Sequence, residues 1–581
     1  MGRPTAWLGA VLVLTAIVYS SSFQNAFLNW DDPVNVTQNH SIRAFSAANV
    51  RVWFTEPLLG MYSPLVYASF TIDHAIGGLK PFVYHATNLA LHLLAVLLVA
   101  SIVRRLTEQP VASVIAAAFF AVHPANVAAV APISVRSSLL YAVFYLAAYR
   151  AYLWYLDRPS ARRWLLSLLL FAASGLSKSA AAVFPVLLVL TDVSRRRELD
   201  RRSLVEKIPF VAMALAMGAG TLLLRDDVVT GDPLRTTWIE RAALAGFQLG
   251  RYLLTSVAPA GLSPFYPYPE RVHGALPPAV FVVSAVLVVL AFVVARFRSV
   301  RAPLAFGLAF FVLHLVLVLK VVPVGEEFTA DRYLYLPIVG LCIAGVDLFQ
   351  RFPDRARRIG GALVIVAVFA FAWHAYARSA DWRDDMAFNS RILEHYPRTA
   401  TALANRAAAH LQAGDVEAAA RDATEAIRID SSNARAYFNR ATASMLKGKP
   451  ADALADMNRA ISIDPRLPAS FELRAQARLN IGDTAGARDD ADRAIALAPG
   501  GDEVFKSFVT RGLARAMLGD GPGAIADMDR AIALNPAEPA LLQNRGQVRI
   551  NFGDQIGGCA DLRAAVARGR TEAVAFLAAC R

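Results

Sequence analysis

Cysteine is scarce in this sequence, with three residues among 581. Cys342 lies inside an apolar run, whereas Cys559 and Cys580 lie near the C-terminus. So few cysteines support neither a disulfide-dense scaffold nor a zinc site, and we predict no bound metal. The last two cysteines could still pair with each other.

Two nucleotide-related signatures are also absent. The sequence contains no phosphate-binding loop of the form GxxxxGK[ST], which argues against direct use of ATP. The net charge is +13, but the arginines are grouped in short clusters between apolar runs and do not form a basic face. Nucleic acid is therefore not a predicted partner.

Hydrophobic residues are abundant instead, at 56% of the chain, with a mean hydropathy of +0.41. Most of the excess falls before about Ala377, in runs close to the ~20 residues that a helix needs to cross a bilayer. Beyond that point, charged and alanine-rich segments alternate. The sequence therefore predicts an all-α protein with a multi-spanning membrane domain at 1–380 and a second, extracytoplasmic domain at 381–581.

Eleven apolar runs are predicted to span the membrane. They lie near 6–23, 85–103, 112–130, 138–156, 163–177, 180–194, 208–224, 277–295, 303–321, 333–350 and 360–377. The first run could instead be a signal peptide, but no clear small-x-small cleavage site follows it. The segment 241–258 is apolar but contains Arg251, and we interpret it as re-entrant or interfacial.

Clusters of basic residues set the predicted topology. They occur in alternate short loops, which the positive-inside rule assigns to the cytoplasm: 104–105, 158–163, 195–207, 296–301 and 351–358. The N-terminus is then cytoplasmic. The loop 24–84 and the domain after the last span are predicted to lie outside.

The predicted outer loops carry an unusual set of charged or titratable groups. These are Asp31, Asp32, His123, Arg136, Lys178, Glu326, Glu327, Asp331 and Arg332. Charged groups at the ends of spans are costly to bury, so their grouping on a single face is a hypothesis for a functional site. The alternative for each of them is a solvated loop charge or a helix end that extends its side chain to the interface.

A repeated unit begins at about Thr399. An arginine recurs with spacings of 34, 34, 37 and 34 residues, and a glycine follows eight residues after each: Arg406 and Gly414, Arg440 and Gly448, Arg474 and Gly482, Arg511 and Gly519, Arg545 and Gly553. This period, with a closing Asp464-Pro465 or Asn535-Pro536, is typical of tetratricopeptide repeats. We predict about five units, stacked as an α-solenoid whose groove binds a peptide or protein.

The two ends of this domain have features of their own. The segment 385–397 resembles a lone second helix that would couple the first full repeat to the last membrane span. Cys559 and Cys580, 21 residues apart, are predicted to lie on the two antiparallel helices of the final unit. In an oxidising outer compartment they could form a disulfide, and the alternative is a pair of small buried core residues.

Six segments carry a family resemblance when they are taken in order. They are FLNWDDPVNVTQN (27–39), GGLKPFVYHATNLALHLL (77–94), FAVHPANVAAVAPISVRSSLLYAVFYLAAY (120–149), GLSKSAAAVFPVLLVLTD (175–192), GLSPFYPYP (261–269) and ADRYLYLPIVGLC (330–342). The set resembles the GT-C type glycosyltransferases with C-terminal tetratricopeptide repeats. That family includes the transmembrane-and-tetratricopeptide O-mannosyltransferases of animals and their bacterial relatives.

The resemblance implies inverting transfer of a sugar from a polyprenyl-phosphate carrier to an acceptor hydroxyl on the outer face of the membrane. Asp31 or Asp32 is expected to be the catalytic base. The lipid phosphate is expected to bind four side chains: His123, Arg136, Lys178 and Arg332. Glu326 and Glu327 are further acidic candidates, and a requirement for a divalent cation is left open.

Plainer interpretations apply to several of these residues. Asp32 precedes Pro33 and could do no more than cap a turn, so Asp31 is the preferred base. His123 precedes a proline and could simply end a helix. Arg332 is followed by Tyr333 and could be an anchor at the membrane interface.

The sequence also departs from the family pattern. Relatives often carry acidic residues at places that hold Ala128, Ser137 with Ser138, and Ser179 here. This departure counts against metal binding and leaves two other hypotheses open. One is a non-catalytic membrane scaffold for envelope or polysaccharide assembly, and the other is a lipid-linked-saccharide transporter or polymer ligase.

The arginine- and alanine-rich composition favours a bacterial inner membrane with the repeats in the periplasm. An endoplasmic-reticulum membrane is the alternative, and the donor would then be dolichyl phosphate mannose. The predicted partners are a lipid-linked sugar, a protein or glycan acceptor, and a protein or peptide in the repeat groove.

Overall fold

The computed structural model describes residues 3–58, 60–223, 236–296, 302–321, 325, 327–498 and 504–580. These residues are mostly helical, and the strands among them form one two-stranded sheet, so the predicted all-α class is confirmed. The chain divides into two compact units, Met1–Tyr396 and Pro397–Arg581. The first unit extends to Tyr396, whereas the sequence placed the boundary after residue 380.

The first unit, called the membrane unit below, is built from helices α1 to α17. Their bounds are α1 Arg3–Tyr19, α2 Ala47–Thr55, α3 Pro64–Gly77, α4 Pro81–Thr107, α5 Pro110–Val122, α6 Val127–Val130, α7 Arg136–Asp157, α8 Ala161–Gly175, α9 Phe184–Ser194, α10 Arg201–Val205, α11 Ile208–Leu223, α12 Trp238–Val257, α13 Pro278–Arg296, α14 Ala302–Leu315, α15 Pro337–Gln350, α16 Asp354–Arg378 and α17 Asp385–His395. Short 3-10 or π turns lie at Ser20–Gln24, Pro33–Thr37, His40–Ile42, Pro124–Asn126, Ser179–Val183, Asp331–Leu334 and Ser379–Trp382. Strands β1 Tyr266–Pro267 and β2 Glu327–Thr329 pair antiparallel.

Local sequence signals explain where several of these helices begin and end. Proline is the first residue of α3, α4, α5, α13 and α15. Its fixed φ suits the first turn, and the N–H that it lacks would have no acceptor within the helix at that position. Helix α4 ends at Glu108, whose φ is +58°. Helix α12 begins with a capping box between Thr237 and Glu240. These signals fix the ends of helices that border the predicted outer and inner loops.

The lengths of the helices test the predicted spans in part. Within the described residues, four helical segments are long and apolar enough to cross a bilayer: Pro4–Gln24, Pro81–Thr107, Arg201–Gly220 and Asp354–Trp382. Shorter apolar helices lie at Ser179–Ser194, Pro278–Phe292, Pro303–Leu315 and Pro337–Gln350. The chain is thus an integral membrane protein, but the predicted count of eleven spans is not confirmed.

One predicted span, 112–130, is broken. Helix α5 ends at Val122, and the helical segment from Pro124 continues at an angle of 48° to it. Pro124 has no N–H to continue the hydrogen-bond ladder of α5, so the chain turns at this point. The segment 241–258 lies almost wholly within the continuous helix α12, and its placement relative to the bilayer stays a prediction.

Helices α14 and α15 approach each other closely at two glycines. A side-chain carbon added at Gly307 would collide with the backbone oxygen of Gly340, and one added at Gly340 would collide with that of Gly307. Glycine pairs of this kind let helix backbones touch, which favours association of apolar helices. The contact holds the start of α15, and therefore the preceding turn Asp331–Leu334, in place.

The second unit, called the repeat unit below, contains helices α18 to α27. Their bounds are α18 Ala400–Gln412, α19 Val416–Ile429, α20 Ala434–Leu446, α21 Pro450–Ile463, α22 Pro468–Asn480, α23 Thr484–Leu497, α24 Val504–Met517, α25 Gly521–Leu534, α26 Pro539–Asn551 and α27 Gln555–Ala567, followed by a 3-10 helix at Thr571–Cys580. Consecutive helices pack as five pairs. The predicted tetratricopeptide solenoid is confirmed.

The recurring arginine and glycine have distinct structural roles. Each glycine ends the first helix of a pair with φ between +70° and +91°, a conformation that other residues adopt only with strain. Each arginine donates two hydrogen bonds of 2.6–2.9 Å to an aspartate sixteen residues later: Arg406 to Asp422, Arg440 to Asp456, Arg474 to Asp490, Arg511 to Asp527 and Arg545 to Asp561. The arginine therefore ties the two helices of its own pair together.

A disulfide closes the end of the repeat unit. It joins Cys559 on α27 to Cys580, with a Cα–Cα distance of 5.7 Å. The sequence placed these cysteines on the two helices of the final pair, but Cys580 lies on the terminal 3-10 helix instead. The bond thus fixes a short capping segment against the last full helix.

Candidate functional site

The membrane unit encloses a cavity of about 210 Å³ at the predicted outer loops. Its walls come from distant parts of the chain. They include the first loop with Trp30 and Asp31, the turn after α6 with Ser134, the loop before β1 with Phe265, the segment of Glu327 and Arg332, and Trp382 with Phe388. The volume lies below the ~300–1,000 Å³ of pockets for drug-sized ligands. The cavity therefore suits a small polar group.

The two neighbouring carboxylates of the first loop have different surroundings. Asp31 is half-buried and lines the cavity. Burial raises its pKa, and the positive charge of Arg332 opposes that rise. The carboxylate of Asp31 is therefore open to a ligand and lies within the electrostatic range of a cation.

Asp32 is 2% exposed and does not line the cavity. Its Oδ2 accepts a hydrogen bond of 2.8 Å from the Leu28 N–H, so the carboxylate stabilises the residues before it rather than capping the turn that begins at Pro33. Burial raises the pKa of Asp32 to about 7, the bond from Leu28 opposes this, and the charge of Asp31 adds to it. Oδ1 lies buried beside Ser134 without a hydrogen bond of good geometry.

Arg332 and Glu327 form a two-pronged ion pair at the cavity wall. Arg332 donates to the two carboxylate oxygens of Glu327 over 2.5 and 3.4 Å. Glu327 is held on β2, whose partner in β1 is Pro267, and burial raises its pKa while Arg332 lowers it. The guanidinium group is thus oriented by a carboxylate that a stronger anion could displace.

Lys178 lies on the other side of Arg332. Arg332 also lines a second, smaller cavity of about 30 Å³, together with Lys178, Ser138 and Tyr333. The Lys178 ammonium donates to Ser138 Oγ over 3.0 Å and lies 5.6 Å from the centre of the Tyr333 ring. The pKa of Lys178 is lowered to about 7. Burial is the main cause, the charge of Arg332 also lowers it, and the charge of Glu327 opposes them. The two cations therefore face a shared region that lacks a full complement of negative charge.

His123 is fully buried at the break between α5 and α6. Its Nε2 lies 3.2 Å from the Ser256 carbonyl oxygen, and its Nδ1 accepts a hydrogen bond of 3.2 Å from the Ala125 N–H. It does not line either cavity. The ring joins the broken segment to the end of α12.

Arg136 is also fully buried and lies away from both cavities. Its guanidinium group pairs with Asp73 at 2.8 Å, donates to the Tyr84 carbonyl at 2.8 Å, and bonds to the Asn88 side chain. Asn88 in turn donates to the carbonyl oxygens of Val130 and Pro132. Arg136 therefore braces the turn that carries Ser134 and forms one cavity wall.

Asp331, one of the charged groups predicted to lie on the outer face, lines the larger cavity and is held by buried partners that were not predicted. Tyr266 donates to both oxygens of Asp331 at 2.9 and 2.8 Å, and Arg378 pairs with the same carboxylate at 2.6 Å. Arg378 also donates to the Pro124 carbonyl at 2.6 Å. Asp331 was visible in the sequence beside Arg332, but its partners are 65 and 47 residues away, and no local signal links them.

Helix α17 contributes an aromatic wall to the cavity. The Trp30 ring lies 5.2 Å from that of Phe388 and 5.8 Å from that of Phe265. Asp385, at the start of the helix, accepts a hydrogen bond of 2.7 Å from the Asn29 N–H. The segment that the sequence interpreted as a lone repeat helix thus packs against the first loop within the membrane unit.

Two of the positions that the sequence analysis noted as departures from the family pattern, Ala128 and Ser138, border the two cavities. Ala128 lines the larger cavity, and Ser138 is the hydrogen-bond partner of Lys178. Glu326 lies outside the described residues. Among the residues that the structure describes, no three histidine, cysteine, aspartate or glutamate side chains are grouped closely enough to hold a metal ion. Of the predicted acidic groups that the structure describes, Asp31, Glu327 and Asp331 line the larger cavity.

Comparison with known proteins gives two family matches. Residues 62–220 match the family described as dolichyl-phosphate-mannose-protein mannosyltransferase, and residues 434–467 match a tetratricopeptide repeat. The resemblance inferred from the sequence is confirmed. Arg136 and Lys178 fall inside the first match, whereas Asp31 and Arg332 fall outside it.

Several curated relatives are named as protein O-mannosyl-transferases. The chain is 32% identical to protein O-mannosyl-transferase Tmtc1 of Drosophila melanogaster over 33% of its own length and 23% of that protein. It is 35% identical to Tmtc2 of the same organism over 23% of this chain and 15% of that protein. It is 26% identical to human TMTC4 over 66% of this chain and 61% of that protein. Among solved structures, the tetratricopeptide protein YrrB aligns with 33% of this chain at 17% identity, with a TM-score of 0.28. The chain spans less than a quarter of the length of the first curated relatives it matches.

Proposed function

We propose that this protein is a membrane glycosyltransferase that moves a sugar from a polyprenyl phosphate to a hydroxyl group on the outer face of the membrane. The observation that carries the proposal is the position of Arg332. This residue lines both cavities, with the carboxylate of Asp31 in the larger one and the ammonium of Lys178 in the smaller one. A base and a pair of cations thus border two cavities that share Arg332.

Asp31 is the general base in this proposal. It takes the proton of the acceptor hydroxyl as that oxygen attacks the anomeric carbon of the sugar. The bond between the anomeric carbon and the phosphate oxygen breaks, and the polyprenyl phosphate leaves. Attack opposite the leaving group inverts the configuration. Asp31 takes the role of base because the other two carboxylates of the larger cavity, Glu327 and Asp331, are paired with Arg332 and Arg378.

Arg332 and Lys178 stabilise the charge that develops on the leaving phosphate. Arg332 is pre-oriented by Glu327, and the phosphodiester of the donor, which carries one negative charge, would compete with that carboxylate for the same guanidinium group. The polyprenyl phosphate gains a second negative charge as its bond to the sugar breaks. A phosphate near Lys178 also favours its protonated form. The resting ion pair therefore keeps the cation in position until the donor binds.

The remaining predicted residues support the site in this proposal. Arg136 braces the turn of Ser134, and His123 holds the break between α5 and α6, so both shape the walls without touching the substrate. Asp32 fixes the first loop through its bond with Leu28. These are positioning roles, and their loss would weaken catalysis through the wall they hold.

The repeat unit serves acceptor recognition in this proposal, since stacked helix pairs present a long groove to peptides and proteins. The arginine- and alanine-rich composition favours a bacterial inner membrane, with the repeats in the periplasm. A disulfide between Cys559 and Cys580 agrees with an oxidising compartment. Mannose is the sugar proposed for the lipid-phosphate donor, since the matched family and relatives are named as mannosyltransferases.

The test is transfer of radiolabelled sugar from polyprenyl phosphates to envelope proteins and glycans by the purified full chain. Asp31→Asn should lower transfer by about 10²–10⁴-fold, the range for loss of general-base catalysis. Asp354→Asn removes an exposed carboxylate at the start of α16 and should leave the rate unchanged. Equal rates for wild type and Asp31→Asn would refute the assigned base.

One observation favours a second candidate, the non-catalytic scaffold. Ala128 lines the cavity and Ser138 bonds Lys178 at places where relatives often have carboxylates. A well-folded wild-type chain that transfers no label from any polyprenyl-phosphate sugar, yet retains envelope proteins through its repeats, would support the scaffold.

A further inference from the structure

A further cavity, distinct from the two at the predicted outer loops, lies at the opposite, predicted cytoplasmic end of the membrane unit. It measures about 340 Å³ and lies between the C-terminal end of α7 and the chain that follows α9. Tyr155, Leu156, Pro159, Arg195 and Arg197 line it. None of these residues takes part in the proposed transfer reaction.

The arginines of this cavity are held in place by carboxylates beneath them. Arg195 pairs with Asp157 at 3.1 Å, and Arg105 donates to the same carboxylate at 2.6 Å. Two guanidinium groups therefore share the Asp157 carboxylate, and the charge of Glu108 also acts on Arg105. The side chains of Arg195 and Arg105 remain 28% and 32% exposed.

Arg197 has a deeper foundation. It pairs with Glu206 at 2.5 and 3.1 Å, and the Tyr155 hydroxyl donates to the same carboxylate at 2.7 Å. Asp192 lies beneath this group and pairs with the buried ammonium of Lys207 at 2.5 Å. The network fixes the direction of Arg197 while its side chain stays 30% exposed at the cavity.

Apolar side chains flank the same residues in the chain. Trp154 is 43% exposed, Val193 is 56% exposed and Leu199 is 45% exposed. A cationic cavity beside exposed apolar side chains at the cytoplasmic end of a membrane unit matches the two parts of a phospholipid, a charged headgroup and acyl chains. A soluble anion would satisfy the arginines but leave the apolar side chains without a partner.

We propose that this cavity binds the phosphate of an anionic phospholipid headgroup, with Arg195 and Arg197 as its ligands. Arg195 shares its carboxylate with Arg105 and offers a guanidinium group that is 28% exposed, and Arg197 offers an oriented one. Arginine suits this role because its planar donors match phosphate oxygens. The site is independent of the transfer reaction and of the residues assigned to it.

Phospholipid retention by the purified full chain tests the proposal. The protein is exchanged into micelles that contain equal amounts of phosphatidylglycerol and phosphatidylcholine, and bound lipid is counted by native mass spectrometry. Wild type should retain phosphatidylglycerol in preference. Arg195→Gln should lower that retention about fivefold, the effect of one arginine at an anionic lipid surface.

Two further variants make the result specific. Arg358→Gln removes an exposed arginine from α16, on the same predicted face but away from the cavity, and should leave retention unchanged. Pro159→Glu adds a negative charge at the exposed rim without touching the buried network, and it should lower retention as Arg195→Gln does. This second variant keeps the test valid if Arg195→Gln impairs folding.

Competition with inorganic phosphate distinguishes the sources of the anion. Retention of phosphatidylglycerol in millimolar phosphate supports a lipid whose chains contribute to binding. Displacement of the lipid at that concentration would overturn the lipid assignment in favour of a soluble phosphate. Equal retention of the two phospholipids by wild type, or equal losses in Arg195→Gln and Arg358→Gln, would overturn the site itself.

Discussion

The membrane unit and the repeat unit use ion pairs in different ways. In the membrane unit, Asp73 with Arg136 and Asp331 with Arg378 are almost fully buried pairs between helices or turns that lie far apart in the sequence. In the repeat unit, one arginine–aspartate pair recurs in five successive helix pairs and stays partly exposed on the arginine side. The first kind of pair defines a unique place, and the second kind defines a repeating architecture.

Energetics explain why the buried pairs point to a site. Burying two opposite charges carries a desolvation cost that burying two hydrophobic side chains of similar size does not. A buried ion pair is therefore weak evidence for a gain in stability. Each pair here instead reaches a cavity wall, Arg136 through Asn88 to the Pro132 carbonyl and Arg378 through Asp331 itself. Their position, more than their energy, connects them with the candidate site.

The largest expected effect is on the buried pair of the membrane unit. Arg136→Met leaves Asp73 buried without its counter-charge, and the free energy of unfolding should fall by about 3–5 kcal/mol. Denaturant unfolding of the full chain in detergent, followed by tryptophan fluorescence, measures this. The Asp73→Asn/Arg136→Met double variant should lose less than the single one. If Arg136→Met costs no more than a repeat arginine, the contrast between the units fails.

The next effect concerns the disulfide of the repeat unit. Cys559→Ser/Cys580→Ser opens a loop of 21 residues, and loop-closure entropy predicts a loss of about 3 kcal/mol. Hydrogen exchange should show the loss first in α27 and the terminal 3-10 helix, because stability in a solenoid is passed between neighbouring repeats. Cys342→Ser changes a free cysteine of the membrane unit and should leave exchange in α27 unaltered. Unchanged exchange in the double variant would mean that the cap holds without the bond.

A smaller effect should follow from loss of one repeated pair. Arg474→Gln removes a two-pronged bond to Asp490 whose arginine is 15% exposed, and we expect a loss of about 1–2 kcal/mol. The same change at Arg406, which is 26% exposed and lies in the first pair, should cost less. Hydrogen exchange in α22 and α23 measures the first and exchange in α18 and α19 the second. A greater cost at Arg406 would contradict this gradient.

The smallest effect is a shift of a pH profile. The pKa of Lys178 lies at about 7 and its charged form is needed for phosphate binding, so kcat/KM for transfer should fall as pH rises through about 7. Glu327 raises this pKa, so Glu327→Gln should move the falling limb to lower pH, by up to about one unit or ~1.4 kcal/mol. Glu198→Gln, an exposed change away from the cavity, should leave the limb in place. A shift to higher pH in Glu327→Gln would contradict the assigned electrostatics.

Much of the repeat unit could be predicted from the sequence because its contacts are local. The glycine after each first helix follows from the need for a positive φ at that turn, and the 34-residue period gives the helix pairs. An aspartate also recurs sixteen residues after each arginine. This repetition is a sequence signal for the arginine–aspartate pairs, and it was not part of the prediction. The position of Cys580 on a 3-10 helix was not predictable, since a short terminal segment has no repeat pattern.

The candidate site was predictable only as a set of residues on one face. The order of apolar runs and basic loops placed Asp31, Lys178, Glu327 and Arg332 at the same predicted membrane surface, and the structure brings them around two adjoining cavities. The same reasoning grouped Arg136 with them, because its span end looks equivalent in sequence. Its partner Asp73 lies 63 residues earlier, and no local pattern joins the two.

The sequence by itself determined that one region lies in the membrane and the other in water, and it determined the period of the repeats. Both follow from the composition and spacing of residues close together in the chain. Only the tertiary structure decided which charged groups share a cavity and which brace its walls. Burial and pairing depend on contacts between residues far apart in the chain. Asp31 and Asp32 show most directly what the sequence does not determine. They are adjacent in one loop, yet the carboxylate of Asp31 lines the cavity and that of Asp32 is buried outside its lining.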